Sequence, residues 1–144
     1  MKLSDDEKMK LEPRLWEITD ACYDGVELPS RLFFRQCVAS GDVFVSGIDP
    51  VSYALVTPGW GDERCPLLRS IATLPMYRGC GAATRLLLEL ADFYRIQGAQ
   101  QIVLHCKTDN PAQTLYFAMG YRVTAILRGY YKPEGNGLEM RKTL

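Results

Sequence analysis

Apolar residues recur along the chain with a period that changes several times, and each change marks an element. From Thr84 onward Leu87, Leu90, Ala91 and Tyr94 return at helical spacing, and Gly98 stands where a left-handed C-cap ends a helix. Upstream of it, Leu67 to Leu74 is a mostly apolar run of strand length. Asp42 to Ile48 and Val51 to Thr57 read as hairpin strands joined at Asp49-Pro50, with Pro58 to Asp62 as the loop that follows. Downstream, Gln101 to Cys106 is a β-run and Pro111 to Met119 a helix closed by Gly120. Tyr121 to Leu127 reads as a half-buried strand through Val123, Ala125 and Leu127, and Leu138 to Arg141 as a last strand.

At the front, Ser4 with Glu7 spells a capping box, and Pro13 is placed to open a helix through Cys22 that ends at Asp24-Gly25. Ser30 is placed to cap a shorter helix, Arg31 to Val38, ended by Ser40-Gly41. The order predicts an α/β (α+β) fold with a mixed, mostly antiparallel central sheet and helices on both faces. No repeat, low-complexity tract or linker interrupts it, so residues 1–144 read as a single domain with one core.

Composition narrows the function. Lys plus Arg and Asp plus Glu number 17 each, so no net field draws the chain to nucleic acid or a membrane. No apolar run approaches the ~20 residues of a membrane span, and Met1 to Glu7 lacks a signal-like apolar stretch. The expectation is a cytoplasmic enzyme. Cys22, Cys37, Cys65, Cys80 and Cys106 are never spaced Cys-x-x-Cys, and with one histidine in the chain they read as reduced thiols rather than metal ligands. No metal is expected. Cys80 and Cys106 read as packed or exposed thiols rather than as nucleophiles.

The chemistry concentrates in Tyr77-Arg78-Gly79-Cys80-Gly81-Ala82-Ala83-Thr84, a glycine-rich turn between an expected strand and an expected helix. Backbone N–H groups at such a helix start lack intrahelical partners, so they can hold an anionic diphosphate, and glycines let the backbone approach it. A plain strand-to-helix connection is the competing reading. The P-loop ending Gly-Lys-Ser/Thr is missing, and Thr84 stands where the dinucleotide fingerprint needs its third glycine. What remains is Arg78-x-x-Gly81-x-Ala83, which resembles the acetyl-CoA loop of the Gcn5-related N-acetyltransferases (GNAT).

Further motifs follow in the same order: Asn110-x-x-Ala-x-x-Leu115-Tyr116, the Gly120-Tyr121 turn and the Tyr130-Tyr131 pair. Together they resemble the N-terminal α-acetyltransferases, namely the catalytic subunits of the NatA and NatE types and the bacterial ribosomal-protein alanine acetyltransferase. The resemblance covers roughly residues 67 to 144, with a weaker echo at Leu28-Pro29. One departure is the front: the family opens with a strand before its first helix, whereas Met1 to Leu11 reads as helical or frayed.

The resemblance implies acetyl-CoA as cofactor and a peptide or protein N-terminus as acceptor, with an auxiliary or ribosome-associated subunit as a further partner. It implies that the strand residues Ile71, Ala72, Thr73 and Leu74 splay from their neighbour, admit the pantetheine arm and polarise the thioester carbonyl through a backbone N–H. It implies that Arg78, Gly79, Cys80, Gly81, Ala82, Ala83 and Thr84 cradle the phosphates. His105 takes the position of the general base, Tyr77 that of its assistant and Tyr116 that of the acid for the CoA thiolate, while Asn110 bonds the pantetheine amides. Leu28 and Pro29, followed here by Ser30, form one wall of the peptide slot, and Tyr130 and Tyr131 the other.

Each residue has a structural reading beside this one. His105 in an apolar strand and Tyr116 on its helix could be core residues, Asn110 an N-cap, Tyr77 a surface ring, and one of two adjacent strand tyrosines a core side chain. Two other functions keep much of the pattern: a small-molecule amine acetyltransferase, which has no need of Tyr130-Tyr131, and an inert CoA-binding or partner-binding subunit, which has no need of His105, Tyr77 and Tyr116 together.

Overall fold

A computed structural model of the chain describes residues 1–23, 28–60, 65–131 and 135–144. In chain order it contains α1 (Asp5–Cys22), α2 (Arg31–Ser40), β1 (Asp42–Val45), β2 (Ser52–Trp60), β3 (Cys65–Thr73) and a 3-10 turn (Pro75–Tyr77). Then come α3 (Ala82–Ile96), β4 (Gln101–Lys107), α4 (Gln113–Ala118), β5 (Arg122–Leu127) and β6 (Gly137–Thr143). The six strands lie in the order β1-β2-β3-β4-β6-β5, and every neighbouring pair is antiparallel except β3 with β4.

The sheet is covered on both faces, as its alternation requires. Leu86, Leu87, Leu90 and Tyr94 of α3 and Tyr116 of α4 pack on Phe44, Val56, Leu68, Leu104 and Met140. On the opposite face Leu15 and Ile18 of α1 and Phe34 and Val38 of α2 pack on Val43, Val45, Tyr53, Leu55 and Ala72. Burial of this apolar area drives both contacts. Among the described residues no helix is long and apolar enough to cross a membrane.

The front of the chain differs from its expectation in two ways. Residues 1–3 are extended, not helical or frayed: Lys2 bridges Phe44, and Leu3 N donates to Val43 O, so a remnant of an opening strand lies against β1. The helix then starts at Asp5 under the expected Ser4–Glu7 capping box, and Pro13 lies inside it rather than at its start. An internal proline removes one helical hydrogen bond. Tertiary contacts on both sides of Pro13 hold the helix through that loss. Lys8 Nζ donates to Ala39 O and Gly41 O at the end of α2, the nearly buried Glu12 accepts two bonds from Arg31, and Leu15 and Ile18 are fully buried. Asp24-Gly25, the expected stop, lies outside the described residues; α1 ends at Cys22 with Tyr23 as its cap.

Other boundaries moved for local reasons. Pro58, Gly59 and Trp60 continue β2, because a register shift between Thr57 and Trp60 absorbs a proline and a left-handed glycine before Trp60 pairs with Cys65. Helix α3 starts at Ala82 because Gly81, with φ +84°, is its cap, and α4 starts at Gln113 after a turn. Strand β5, at the sheet edge, keeps the expected half-buried alternation only past a register shift between Val123 and Ala125: Ala125 and Leu127 are half-buried with Ile126 exposed between them, whereas Val123, before the shift, is exposed.

Candidate active site

The site starts from a fault in the sheet. Parallel β3 and β4 pair only at Leu67–Val103 and Leu68–Leu104, so from Arg69 and His105 onward no ladder pair joins them. Arg69 is the extra residue of a bulge, since Leu55 pairs with Ser70 and Val56 with Leu68. Past the bulge, the carbonyls of Ile71 and Thr73 face away from β2. Ile71 O accepts from the Tyr23 hydroxyl at 3.0 Å, while Thr73 O accepts from Arg78 Nε at 3.1 Å and Cys22 Sγ at 3.2 Å. Because N–H and C=O of one strand residue share an edge, the N–H groups of Ile71 and Thr73 face the same gap. Ala72 turns the other way, with its carbonyl accepting from Ser52 Oγ at 2.9 Å, and Leu74 N donates to Val51 O. Of the four expected residues, two therefore offer backbone to the opening.

A groove of about 600 Å³ runs from this gap, lined among others by Ala72, Arg78, Ala83, Lys107, Asn110 and Tyr116. It is continued by one of about 360 Å³ along Tyr77, Arg78, Gly79, Gly81, Ala82, Ala83 and Thr84. Gly79 and Gly81 have φ of +82° and +84°, a backbone that favours glycine, and a Cβ on Gly79 would meet nothing within 4 Å. The α3 N-terminus has no side-chain cap, so its first N–H groups remain for a ligand at a positive dipole end. Cys80, exposed, donates its thiol to Tyr77 O, and Arg85 Nη1 donates to Cys80 O at 3.3 Å, which fixes the turn. This cradle and its cationic Arg78 fit a diphosphate. Asn110 Oδ1 accepts from Ala112 N–H at 2.8 Å, which closes the turn before α4 and does not cap it, since the cap is Ala112 with no side-chain bond; Asn110 lines the groove as well.

At the inner end a cavity of about 150 Å³ is enclosed by His105, Tyr116 and Tyr131 with Tyr23, Arg69, Ser70 and Asn110. Tyr116 lines both this cavity and the large groove, so it stands where the two meet. It is 7% exposed, and burial pushes its phenol far above the ordinary range, which keeps the proton on at any working pH. The His105 side chain is 7% exposed. Its Nδ1 lies 3.1 Å from the Tyr130 hydroxyl, and its buried Nε2 lies 3.6 Å from Glu139 Oε2. Burial lowers the imidazole below its ordinary value; Glu139 pulls the other way, and Arg69 and Arg141 act with burial.

Tyr130 and Tyr131 lie in a turn before β6, not in a strand, and neither is a core residue: Tyr130 is exposed and Tyr131 half-buried. The turn lets both rings gather at His105 instead of pointing to opposite faces. Tyr130 meets His105 edge-on at 5.2 Å and Tyr131 at 4.9 Å between centroids.

The α1–α2 wall borders a further cavity of about 180 Å³, lined by Tyr23, Pro29, Phe33, Phe34, Arg69 and Ser70 among others. Ser30 caps α2, accepting from Phe33 N at 3.2 Å, and Leu28 is half-buried beside Pro29. A chain of hydroxyls stiffens this wall: Tyr23 to Ser70 at 3.4 Å, Ser70 to Tyr53 at 2.8 Å, Tyr53 to Thr19 at 2.6 Å, ending on Leu15 O. Tyr77 alone of the expected catalytic residues stands apart. It is exposed, on the loop groove, and does not line the His105 cavity.

Three residues join the site without having been read from the sequence. Tyr23 lines all three inner openings from the end of α1, Arg69 does so for two from the bulge, and Glu139 backs His105 from β6. Glu139 alone left a trace, as the acidic member of the alternating Leu138-Glu139-Met140-Arg141 run. Among the described residues no cluster of His, Cys, Asp and Glu could hold a metal ion.

A sheet opened between its two parallel strands over a glycine-rich helix start defines a class of α/β folds built around an extended, phosphate-bearing ligand. The chain belongs to the acetyltransferase (GNAT) family, whose profile matches residues 10–121. It is similar to the [ribosomal protein bS18]-alanine N-acetyltransferase of Haemophilus influenzae, 38% identical over 69 residues that make up 47% of each chain, so it spans about half the length of this curated relative. Among solved structures, the fold resembles that of a chain in the NatC complex bound to Gag peptide and CoA, with a TM-score of 0.82 at 20% identity over 100% of this chain and 96% of that one. It likewise resembles the ribosomal-protein-S18-alanine N-acetyltransferase from Escherichia coli, with a TM-score of 0.80 at 20% identity over 99% of this chain and 94% of that one.

Proposed function

We propose that this chain transfers acetyl from acetyl-CoA directly to the α-amine of a peptide or protein N-terminus, with His105 as general base and Tyr116 as the acid for the departing thiolate. The observation that carries the reading is the placement of Tyr116 at the junction of the long groove and the His105 cavity. Cofactor and acceptor then reach one point from two sides. The 3.1 Å contact between His105 and Tyr130, with Tyr131 on the same cavity, favours a peptide over a small amine, because two rings at the mouth suit a backbone that must be aligned.

The chemistry follows from protonation states. An α-ammonium has a pKa of about 8, so near neutral pH most of it must lose a proton before attack. A neutral buried imidazole is a base in the right form at that pH. The N–H groups of Ile71 and Thr73, which face the gap, stabilise the oxyanion that forms on the thioester carbonyl. Collapse of that intermediate expels the thiolate, which takes the proton of Tyr116, held protonated by burial, while the second proton of the attacking nitrogen restores the phenol. The loop from Arg78 to Thr84 holds the diphosphate and Asn110 the pantetheine arm. Leu28, Pro29 and Ser30 frame the far side of the peptide slot, and Tyr77, on the outer groove, assists through water.

The test is a peptide carrying both a free α-amine and a lysine, incubated with acetyl-CoA and mapped by mass spectrometry. Acetyl on the α-amine alone is expected; acetyl on lysine, or on neither while a small polyamine is turned over, would favour another acceptor.

A further inference from the structure

Beside the base the site holds a carboxylate, Glu139, that the reaction described above does not use. His105 and Glu139 are register partners across β4 and β6, so their side chains project from the same face of the sheet. Glu139 is 13% exposed, and its two oxygens are divided: Oε1 accepts from Arg141 Nε at 2.9 Å and from Thr124 Oγ1 at 2.9 Å, while Oε2 faces His105 Nε2 at 3.6 Å. A carboxylate anchored from two strands is fixed in position. Arg141 is fixed in turn, since its Nη1 donates to Gln101 Oε1 at 3.2 Å.

We propose that Glu139 is a positioning residue that holds His105 in the tautomer with hydrogen on Nε2, so that Nδ1 presents the lone pair that takes the acceptor's proton. This rests on the reading of His105 as the base. The carboxylate can only accept, so the nitrogen facing it carries the hydrogen. Nδ1 then accepts from the Tyr130 hydroxyl at 3.1 Å, and the acceptor's proton reaches its lone pair through that hydroxyl or in its place. When Nδ1 takes the proton, the imidazolium that forms lies within ion-pair distance of Glu139, which offsets the cost of a charge at a nearly buried site. The other groups bearing on the ring are Arg69 from β3 and Arg141 from β6, both opposing that charge, and the neutral Tyr130, Tyr131, Tyr116 and Cys106.

His105 is the chain's one histidine, so ¹⁵N labelling of histidine reports this ring alone. In the wild-type protein the ¹⁵N shifts should show hydrogen on Nε2. Glu139→Gln keeps the shape and one carbonyl oxygen for Thr124 and Arg141 but presents an N–H₂ to the ring. The tautomer should then move toward Nδ1–H and the imidazole titrate at lower pH. The acidic limb of the kcat/KM profile should shift down with it, and the plateau should fall by as much as about 10⁴-fold, the scale of a histidine held in the wrong tautomer. Acetyl-CoA affinity should not change, and Glu139→Asp should recover part of the rate. Unchanged ¹⁵N shifts and titration in Glu139→Gln overturn the coupling. Altered shifts with a wild-type pH profile overturn the catalytic role and leave a packing contact. If His105→Gln itself retains activity, the base assignment fails first, and Glu139 has no base to position.

Discussion

Gly137 lies directly beneath Tyr131: a Cβ built on it would stand 3.0 Å from Tyr131 Cε2 and 3.3 Å from Tyr130 Cβ. Gly137 has an ordinary backbone, so the constraint is space and not conformation. Both tyrosines gather at His105 because the first residue of β6 has no side chain to hold them off. Gly137→Ala should displace the rings and raise KM for a peptide several-fold, with acetyl-CoA affinity and the melting temperature nearly kept. Steady-state kinetics with each substrate varied in turn checks it; equal loss for both substrates assigns the tyrosines to the fold.

Tyr131→Ala removes one wall of the proposed peptide slot without touching the phosphate loop. Peptide KM should rise much more than that for acetyl-CoA, because orientation of the acceptor is lost while the cofactor groove is intact. Thermal unfolding of the same variant separates this from a general loss of packing, which a half-buried ring does not imply.

For the cofactor, Gly81→Asp combines a left-handed backbone that L side chains rarely adopt with a carboxylate at the anion cradle. Isothermal titration with acetyl-CoA should show no binding by the folded variant. Retained affinity contradicts the cradle.

The sign of the pH dependence is set by burial. His105 titrates lower in the folded chain than its ordinary value, so between the two values the unfolded chain binds more protons than the folded one. Its contribution to stability is whole above about pH 6.5, the ordinary value, and is lost as pH falls through that window. The melting temperature should therefore drop between neutral and mildly acidic pH, and His105→Gln should drop less over the same interval. An equal drop in both proteins assigns the acid sensitivity to other groups.

The fold was readable where one element announces itself by its own period. Leu87, Leu90, Ala91 and Tyr94 do face one core, and the glycine turn before them does become a helix cap. In strand β5 the half-buried places of Ala125 and Leu127 were readable too, but the exposure of Val123 was not, because the register shift before Ala125 is set by pairing with β6, a fact no local window holds. Pro13 was misread because contacts of Lys8, Glu12 and Leu15 with distant residues override a local penalty.

The site divides the same way. The loop, His105, Asn110 and Tyr116 stand in motifs of fixed spacing. Tyr23 and Glu139 come to the site only through tertiary placement, one at the end of α1 and the other by its register with β4. Tyr130 and Tyr131 were read as strand neighbours, and the turn that brings both to His105 depends on the missing side chain of Gly137.

The central claim is that His105 deprotonates a peptide's α-ammonium beside the bound thioester. It is tested most directly by kcat of His105→Ala on a peptide with a free N-terminus, measured alongside its acetyl-CoA affinity and its folding. The account predicts a kcat lower by about two to four orders of magnitude with that affinity nearly unchanged, as removal of a positioned base requires. A folded variant that acetylates the peptide near the wild-type rate would contradict it and return the imidazole to packing.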